Sequence, residues 1–335
     1  MQHGLRKRSL ISYDFFSFTV KITSDGKKNK ELARYASIRG FGGDNVFAIG
    51  VYFPTMNVLS YHLCIETENN RVVRGDKPSP ADLAAMACAD AIILPQGCRE
   101  SFYAAARRAC PHVFPDYDVC FAYPGKIGQA ALFQKMDVPH PLTFSFANIE
   151  NFDAASLPFS YPFVFKSSWG GEGNTVFWVR SENDLHHCLE RAVQWQQDGR
   201  KGFLLQEYVE TGGRSLRVVV IGSDYYPYWR RVEGGGFYTN LAKGAVIDRE
   251  SLPHLQEKAV VAAKDFCAKT RINLAGFDFL FALCGNNSSP LFLEINFCFR
   301  CKGLGGVDAY HRYLEKGIRS WLHQIPRNET FLIAP

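Results

Sequence analysis

The pattern of apolar and polar positions in the first part of the chain alternates between two kinds of segment. Two runs, Asn45–Phe53 and Asp90–Pro95, are apolar and rich in β-branched residues, as buried parallel strands are. Between them, Ser79–Ala89 opens with Ser-Pro and continues with helical spacing, which predicts a helix with a serine N-cap. A second helix is predicted at Glu100–Cys110 and a short strand at His112–Pro115. This alternation predicts a small parallel sheet.

Further helices and strands follow in the rest of the chain. A helix is predicted at Pro124–Met136, and two strands, Tyr161–Ser168 and Thr175–Ser181, flank a glycine-rich loop. A helix with an apolar stripe is predicted at Ser181–Gln196. The remaining predicted elements are strands at 202–209, 215–222, 225–232, 276–283 and 290–297, and helices at 251–270 and 307–322.

Length and composition indicate a globular protein of more than one domain. For 335 residues two or three domains are expected, and a net charge of +5 is only weak support for a nucleic-acid partner. No apolar run is long enough to cross a bilayer and the N-terminus lacks the features of a secretory signal, so the sequence predicts a cytoplasmic protein. Residues 1–40 show no sustained periodicity and are predicted to form a loosely ordered leader with one short strand near Phe15–Ile22.

The ten cysteines are mostly isolated within apolar runs, which indicates buried, reduced thiols rather than disulfides. The exception is the pair Cys298 and Cys301, a lone CxxC. Two incidental cysteines, a redox pair and half of a zinc site are all open for this pair, although a second CxxC is absent.

A lysine precedes a glycine-dense loop in the segment Lys166–Val179. A P-loop is excluded because that motif has its lysine after the glycines and continues into a helix, whereas a strand follows here. The loop is therefore predicted to be the tip of an antiparallel hairpin. Such a tip can fold over a nucleotide and offer backbone N–H groups, because Gly170, Gly171 and Gly173 permit close approach. An ordinary mobile turn is the alternative, and the loop by itself does not separate the two.

Two carboxylates and an amide are predicted to converge on one face of a second hairpin. Pairing its strands around the turn-rich segment Cys284–Pro290 places Asp278 opposite Glu294 or Asn296, depending on the register. A cation would relieve the repulsion between the carboxylates, and oxygen ligands of this kind suit Mg²⁺. The alternative is that both acids are solvated on an exposed face, which their apolar neighbours disfavour.

The segment Leu204–Val209 is predicted to be a strand that ends in polar and aromatic residues. Such a strand can bind adenine through its main chain, with Gln206 or Glu207 accepting a hydrogen bond from the exocyclic amine. A lysine beside a glycine hairpin, an adenine-binding strand and an oxygen-only metal site together form the arrangement of a nucleoside-triphosphate site.

These segments, in this order, resemble the ATP-grasp superfamily over residues 45–325, and most of all its branch of ribosomal-protein glutamate ligases and amino-group-carrier ligases of lysine biosynthesis. The resemblance implies that Lys166, Arg217 and Asn240 act in catalysis and that Asp278, Glu294 and Asn296 hold magnesium. The residues it implicates in ATP binding are Lys126, Lys166, Gly170, Gly171, Gly173, Gln206, Glu207, Tyr208, Val209 and Lys243.

The resemblance also implies a fold of the α/β class, in which a small parallel-sheet domain precedes two α+β subdomains that clamp ATP. The implied parts are a leader at 1–40, an N-terminal domain at 41–122, a central subdomain with a glycine-rich lid at 123–201, a C-terminal subdomain with the magnesium site at 202–325 and a tail at 326–335. The implied activity is that of an ATP-dependent carboxylate–amine ligase, which forms an amide through an acyl phosphate with Mg²⁺, or alternatively Mn²⁺.

The chain departs from the family pattern at several positions. Ser215 replaces a usual aspartate, and the segment after the metal ligands carries Arg300 and Lys302, which are candidates to receive an acidic substrate. For Arg230 and Arg231, substrate or phosphate binding and a solvated strand edge are both open.

An ATP-binding sensor without ligase activity is the alternative function, although such a protein would not need the full set of catalytic residues. The substrates are expected to be a small-molecule or peptide carboxylate and an amine, with no membrane partner and nucleic acid disfavoured. The sequence names neither substrate, and it does not give the oligomeric state.

Overall fold

The computed structural model describes residues 56–153, 156–171, 173–283 and 289–326, together with the backbone of four strands between residues 14 and 51. The chain divides into two compact units, Met1–Asn57 with Ile325–Pro335, and Val58–Gln324. The domain boundaries drawn from the sequence stay predictions. Within the described ranges, no helix is both long and apolar enough to cross a membrane.

The described part of the first unit is a four-stranded antiparallel sheet. Its strands, in spatial order, are β1 (Asp14–Phe15), β2 (Phe18–Thr23), β3 (Arg34–Ile38) and β4 (Ala48–Val51). A strand near Phe15–Ile22 is thereby confirmed. The prediction that Asn45–Phe53 joins a parallel sheet is wrong, because β4 pairs antiparallel with β3. An apolar run does not encode the direction of its partner strand. Residues 1–40 also contain β1 and β3, so the single strand predicted there is too few. The residues between these strands lie outside the described part of the chain.

A parallel sheet opens the second unit, in the strand order β6-β5-β7-β8. Its elements are β5 (Val58–Ser60), β6 (Asn69–Asn70), α1 (Pro80–Ala87), β7 (Ala91–Ile93), α2 (Glu100–Ala109), β8 (Val113–Phe114) and α3 (Asp118–Ala122). Helix α1 begins as predicted, with a reciprocal capping box between Ser79 and Asp82. The parallel sheet is thus confirmed, although its first strand is β5, which the apolar pattern had not indicated.

The middle of the second unit is a four-stranded antiparallel sheet in the order β11-β10-β12-β9. Its elements are α4 (Gly125–Lys135), β9 (Thr143–Phe146), β10 (Phe163–Ser167), β11 (Val176–Val179), α5 (Glu182–Gln197) and β12 (Phe203–Glu207). Strands β10 and β11 form the predicted hairpin, with Lys166 opposite Val176. Phe163 and Phe165 pack in a core with α5. Because side chains alternate along a strand, Lys166 lies on the opposite face.

A five-stranded antiparallel sheet, in the order β15-β14-β13-β16-β17, forms the rest of the unit. Its elements are β13 (Arg214–Ile221), β14 (Asp224–Arg231), β15 (Val246–Asp248), α6 (Pro253–Thr270), β16 (Leu274–Leu280), β17 (Leu291–Asn296) and α7 (Val307–Gln324). β16 and β17 pair as predicted. Most of the turn predicted between them, residues 284–288, lies outside the described residues.

The two faces of this sheet differ. One face carries Leu216, Val218 and other apolar residues that form a core with α6. The opposite face is divided along β13: Val219 and Ile221 pack against α7. There Gly317 allows the helix backbone to approach, since a Cβ at that position would lie 3.0 Å from the Ile221 carbonyl oxygen. Arg217, on the same face but nearer the start of the strand, faces a cleft.

Candidate active site

A cleft of about 490 Å³ separates the β9–β12 sheet from the polar half of the five-stranded sheet. The residues predicted for the site that line it are Lys126, Lys166, Gly171, Gly173, Gln206, Glu207, Tyr208, Val209, Arg217, Asn240, Asp278, Glu294 and Asn296. Gly170 and Lys243 are the two residues implied for ATP binding that do not line it, and Arg231, a candidate for substrate or phosphate binding, does not line it either. Lys243 is exposed, with its Nζ 5.8 Å from the centre of the Tyr238 ring. The fold thus brings residues from seven separate segments to one cavity.

A charged row, formed by Arg217, Asp278 and Glu294, crosses three adjacent strands of the sheet. Asp278 is opposite Arg217 on one side and opposite Glu294 on the other, so one of the two predicted registers is confirmed. Asn296, two residues beyond Glu294, shares this face and is opposite Gly276. A β-bulge follows directly after Asp278. The convergence of two carboxylates and one amide predicted from the sequence is therefore present.

Asp278 is the most heavily bonded member of the charged row and only 3% exposed. Arg217 donates from Nε and Nη2 to its two oxygens, both at 2.7 Å, and Arg230 Nη2 lies 3.1 Å from Oδ1. The Asn296 amide donates to Oδ2 at 3.2 Å. Burial acts to raise the pKa of Asp278, but the two arginines outweigh it and hold this pKa below its ordinary value.

Arg230 is buried beneath the cleft instead of lying at a solvated strand edge, so that alternative is wrong for this residue. Its Nε donates to the Ser215 hydroxyl at 3.1 Å, which also accepts from Thr239 at 2.8 Å. Ser215, which replaces the aspartate usual in the family, therefore supports Arg230 without neutralising it. Arg217 and Arg230 share one carboxylate, Asp278, and this leaves one positive charge in excess.

The oxygens on this face suit a hard cation by their chemistry. Glu294 is 30% exposed, and its Oε1 lies 3.9 Å from Lys126 Nζ. Asn296 uses its Nδ2 toward Asp278 and so can direct its Oδ1 elsewhere. A carboxylate offers about four lone-pair sites, of which hydrogen bonds to Asp278 occupy most. Glu294 and Asn296 are therefore better placed than Asp278 to hold a metal ion.

The second predicted ATP lysine, Lys166, is buried and held by a residue that the sequence had assigned to adenine. Lys166 Nζ donates to Gln206 Oε1 at 2.6 Å, and Gln206 Nε2 donates to the Thr143 hydroxyl at 2.8 Å. The Gln206 amide is thus engaged with Lys166 in place of an exocyclic amine. Burial lowers the pKa of Lys166 from 10.5 to about 8, with Glu294 acting in the opposite direction.

The first predicted ATP lysine, Lys126, is tied to the glycine loop. Its Nζ donates to the Gly170 carbonyl at 2.8 Å, and its backbone N–H donates to the Ser168 carbonyl at 2.9 Å. Gly125 makes this approach possible, since it has φ of +64° and a Cβ there would lie 2.8 Å from the Ser168 oxygen. The start of α4 and the base of the loop therefore form one unit.

The glycine loop is anchored at Trp169. The Trp169 carbonyl accepts hydrogen bonds from the Ser167 and Thr175 hydroxyls, at 2.6 and 2.9 Å. Its ring packs edge-on against Trp195 with centroids 5.2 Å apart, and the Arg200 guanidinium lies 4.8 Å from its centre. The loop base is thus fixed on α5 and on the turn that follows it.

Aromatic residues form the wall beside the predicted adenine-binding strand. Trp178 of β11 stacks on Phe237 with centroids 5.7 Å apart and an interplanar angle of 9°, and Tyr208 packs against both rings. Tyr238 donates to the Val176 carbonyl at 3.1 Å. These contacts join the segment after β14 to the β10–β11 hairpin. The sequence pattern indicated none of them, because their residues are far apart along the chain.

The segment after β17 contributes Cys298, Phe299, Arg300 and Lys302 to the cleft. Cys298 is exposed there, whereas Cys301 packs partly against the core beneath α7. Among the described residues no group of three or more histidine, cysteine, aspartate or glutamate side chains could hold a metal ion. Arg300 and Lys302, the two candidates to receive an acidic substrate, both line the cavity.

Comparison with known proteins places this site in a family. Residues 132–312, just over half of the chain, match the RimK-like ATP-grasp domain. N-acetylaspartylglutamate synthase A of Homo sapiens is 29% identical over 173 residues, which are 48% of this chain and 41% of that protein. The α-aminoadipate–LysW ligase LysX of Saccharolobus solfataricus is 27% identical over 133 residues, 40% of this chain and 48% of that protein. The chain therefore spans less than half the length of these curated relatives.

The fold agrees with this match. A RimK domain ATP-grasp protein from Sphaerobacter thermophilus superposes with a TM-score of 0.54 and 15% identity, over 78% of this chain and 98% of that one. The low identity means that this likeness supports the fold alone, which is the ATP-grasp fold predicted from the sequence. The site geometry, the fold and the match over more than half its length lead to one conclusion: the chain belongs to the RimK-like ATP-grasp domain family.

Proposed function

We propose that this protein is an ATP-dependent carboxylate–amine ligase. The observation that carries the proposal is the charged row beside two lysines in one cleft. Lys126, Lys166, Arg217 and Arg230 contribute +4 and the two carboxylates −2, which gives +4 − 2 = +2. Arg214, Arg300, Lys302 and Glu207, which line the same cleft, add +3 − 1 = +2. Magnesium-bound ATP carries about −2 and would balance the charge around the row, which leaves positive charge for an acid substrate. A mere nucleotide sensor would need neither Arg217 nor the buried Arg230 at this place.

In the proposed reaction, a carboxylate oxygen of the acid attacks the γ-phosphorus of ATP, and the bond to the β,γ-bridging oxygen breaks. The products are an acyl phosphate and ADP. The amine nitrogen then attacks the acyl carbon, the carbon–oxygen bond to phosphate breaks, and the nitrogen loses one proton. The amide and inorganic phosphate leave, so that each amide formed costs one ATP.

Each group of the site has a task in this scheme. Lys126 and Lys166 bind the phosphates, and Arg217 steadies charge on the acyl phosphate and its tetrahedral successor. Glu294, Asn296 and Asp278 would hold Mg²⁺ or Mn²⁺, which neutralises phosphate charge when bound. Asn240 contacts the loop, since a Cβ at Gly173 would lie 3.0 Å from its Oδ1. The glycine loop excludes water that would hydrolyse the acyl phosphate.

The adenine is proposed to bind along Glu207–Val209, beside Tyr208 and the Trp178–Phe237 pair. Gln206 is proposed to support Lys166 in place of binding the base. The acid is proposed to enter near Arg300 and Lys302, which line the same cleft. The cytoplasmic location and the absence of a nucleic-acid partner stay predictions from the sequence.

The proposal is tested with acids suggested by the relatives' names. The protein is incubated with ATP, Mg²⁺ and N-acetylaspartate, glutamate or 2-aminoadipate, with hydroxylamine as a general amine that traps acyl phosphates. We expect acid-dependent release of ADP and formation of a hydroxamate with at least one acid. Tight ATP binding without ADP release for any carboxylate in a wider mass-spectrometric screen would favour the sensor instead.

The buried lysine predicts opposite pH effects on stability and on ATP binding. The pKa of Lys166 is about 8 in the folded protein and 10.5 ordinarily, so between these values the unfolded chain binds more protons. The nucleotide-free protein is therefore expected to gain stability as the pH rises from 8 to 10.5. ATP phosphates need the ammonium form, so the Kd for ATP is expected to rise by up to about tenfold per pH unit above pH 8.

Calorimetric titration with ATP and urea unfolding, both at pH 7 to 9.5, measure the two effects. Lys166→Met serves as the control, because it removes the titrating group and should flatten both profiles. A Kd for wild-type protein that stays constant across this range would contradict the assignment of Lys166 to the phosphates.

A further inference from the structure

One cleft residue that the scheme above does not use is Tyr228 of β14. It is opposite Arg217 in the sheet and shares the polar face with the charged row. It is buried to 2% exposure, yet it lines the cleft. Part of its side chain therefore faces the cavity, next to the two arginines that share Asp278.

The position of the phenol is fixed by the segment that follows β17. A Cβ at Gly303 would lie 1.9 Å from Tyr228 Cζ and 2.1 Å from its hydroxyl oxygen, so the hydroxyl end rests directly on the Gly303 backbone. The Gly303 carbonyl is itself held by Arg249 Nη2 at 2.8 Å. Only glycine permits this contact. The contact joins the phenol to the short 3-10 helix Cys301–Leu304. The same helix carries Lys302, which lines the cleft.

The surroundings keep the phenol protonated and leave its proton available. Burial raises the pKa of Tyr228, and the charge of Asp278 adds to this rise, while the charges of Arg217 and Arg230 act against it. A guanidinium donates hydrogen bonds and cannot accept one, so neither arginine can take the phenol proton. Among the described residues, the side chains that flank the phenol on its sheet face are the two arginines and Asp278, whose oxygens already accept from Arg217, Arg230 and Asn296.

The charge at this place calls for an anion. Arg217 and Arg230 share the single carboxylate of Asp278, and Ser215 brings no second negative charge to Arg230. A buried excess of positive charge is costly unless a ligand supplies the partner. The unused phenol proton and the excess charge therefore point to the same kind of ligand, an oxyanion.

We propose that the Tyr228 hydroxyl donates a hydrogen bond to the reacting carboxylate of the acid substrate, and to the acyl phosphate made from it. This inference rests on the proposed ligase function and adds a residue to its acid subsite. Tyr228 binds and orients the carboxylate beside Arg217, and no proton leaves the phenol during the reaction. Its removal should weaken the acid subsite and leave the ATP subsite unchanged.

Tyr228→Phe tests this with little change in volume. A hydrogen bond to a charged group typically contributes enough that its loss should raise the KM for the acid by about tenfold or more. The Kd for ATP should stay within about twofold of wild type, since one hydrogen bond away from the nucleotide is removed. A purely structural tyrosine would instead lower stability and weaken both ligands together.

Tyr226→Phe is the matched control on the same strand and face. Its ring stacks on Tyr313 with centroids 4.2 Å apart, and it does not line the cleft, so the KM for the acid should not change. If Tyr228→Phe turns over at the wild-type rate and has the wild-type KM for the acid, the proposed role of Tyr228 is wrong, while the proposed function still stands. Absence of turnover with every acid would instead overturn the proposed function.

A second measurement does not depend on turnover. Protein saturated with ADP and Mg²⁺ is titrated with inorganic phosphate, which offers the oxygens of the acyl phosphate's phosphoryl group. Tyr228→Phe should bind this phosphate about tenfold more weakly than wild type. Equal phosphate affinities for the two proteins would count against Tyr228 even if no acid were turned over.

Discussion

Glutamine in place of Glu294 is expected to lower ATP-dependent turnover by about two to three orders of magnitude, the usual loss when a group that stabilises transition-state charge is removed. The amide has the same shape but loses the negative charge that would hold a divalent cation against the phosphates. Stability should change little, because the side chain is 30% exposed and its ion pair with Lys126 is long, at 3.9 Å.

Coupled measurement of ADP release over a range of magnesium concentrations gives the readout, and thermal unfolding checks the fold. Glu315→Gln is the matched control, since it removes an exposed glutamate that pairs with Arg319 on the surface of α7. If Glu294→Gln shows the same magnesium-dependent turnover as wild type, the assignment of Glu294 to the metal ion is wrong.

Asparagine in place of Asp278 is expected to abolish turnover and, in addition, to destabilise the protein by about 3–5 kcal/mol. The reason is that Arg217 and Arg230 would both lose their shared partner while staying buried. A double replacement with Glu294→Gln would combine this expected loss of stability with the loss of Glu294, so the two residues must be changed separately.

Urea unfolding of Asp278→Asn and wild type measures the loss, with Asp265→Asn, an exposed aspartate on α6, as control. The pKa of Asp278 is lowered in the folded protein, so its contribution is present above the ordinary carboxyl pKa and fades as the pH falls through the folded value. The difference between the two proteins should therefore shrink in acid. Equal stabilities at pH 7 would show that the arginines find other partners.

The β16–β17 hairpin shows why part of the site was readable from the sequence. Asp278 and Glu294 are on consecutive strands, and the pairing of consecutive strands follows from the turn between them. The β10–β11 hairpin could be predicted for the same reason, since Lys166 is opposite Val176 on the next strand. Local geometry sufficed in both hairpins because it fixes which face a side chain occupies.

The contacts that the sequence did not predict join partners that are distant along the chain. The contacts of Gln206 with Lys166 and Thr143 depend on the strand order β11-β10-β12-β9, which cannot be read from local pattern. Arg230 could be taken for a strand-edge residue because nothing near it in the sequence shows that Asp278 lies beneath the same cleft. The sequence pattern did not mark Tyr228 as a cleft residue, since Gly303, which it packs against, lies 75 residues further along the chain.

The sequence by itself determined most helices, the two hairpins and the shared face of Asp278, Glu294 and Asn296, because periodicity and hairpin pairing act over a few residues. The tertiary structure alone decided which half of the five-stranded sheet remained for the cleft, because α7 covers Val219 and Ile221 but not Arg217. It also decided that two arginines share one carboxylate. The three residues meet because their strands are adjacent in the sheet. Because they are buried, the loss of one partner costs much more free energy of unfolding than it would on the surface.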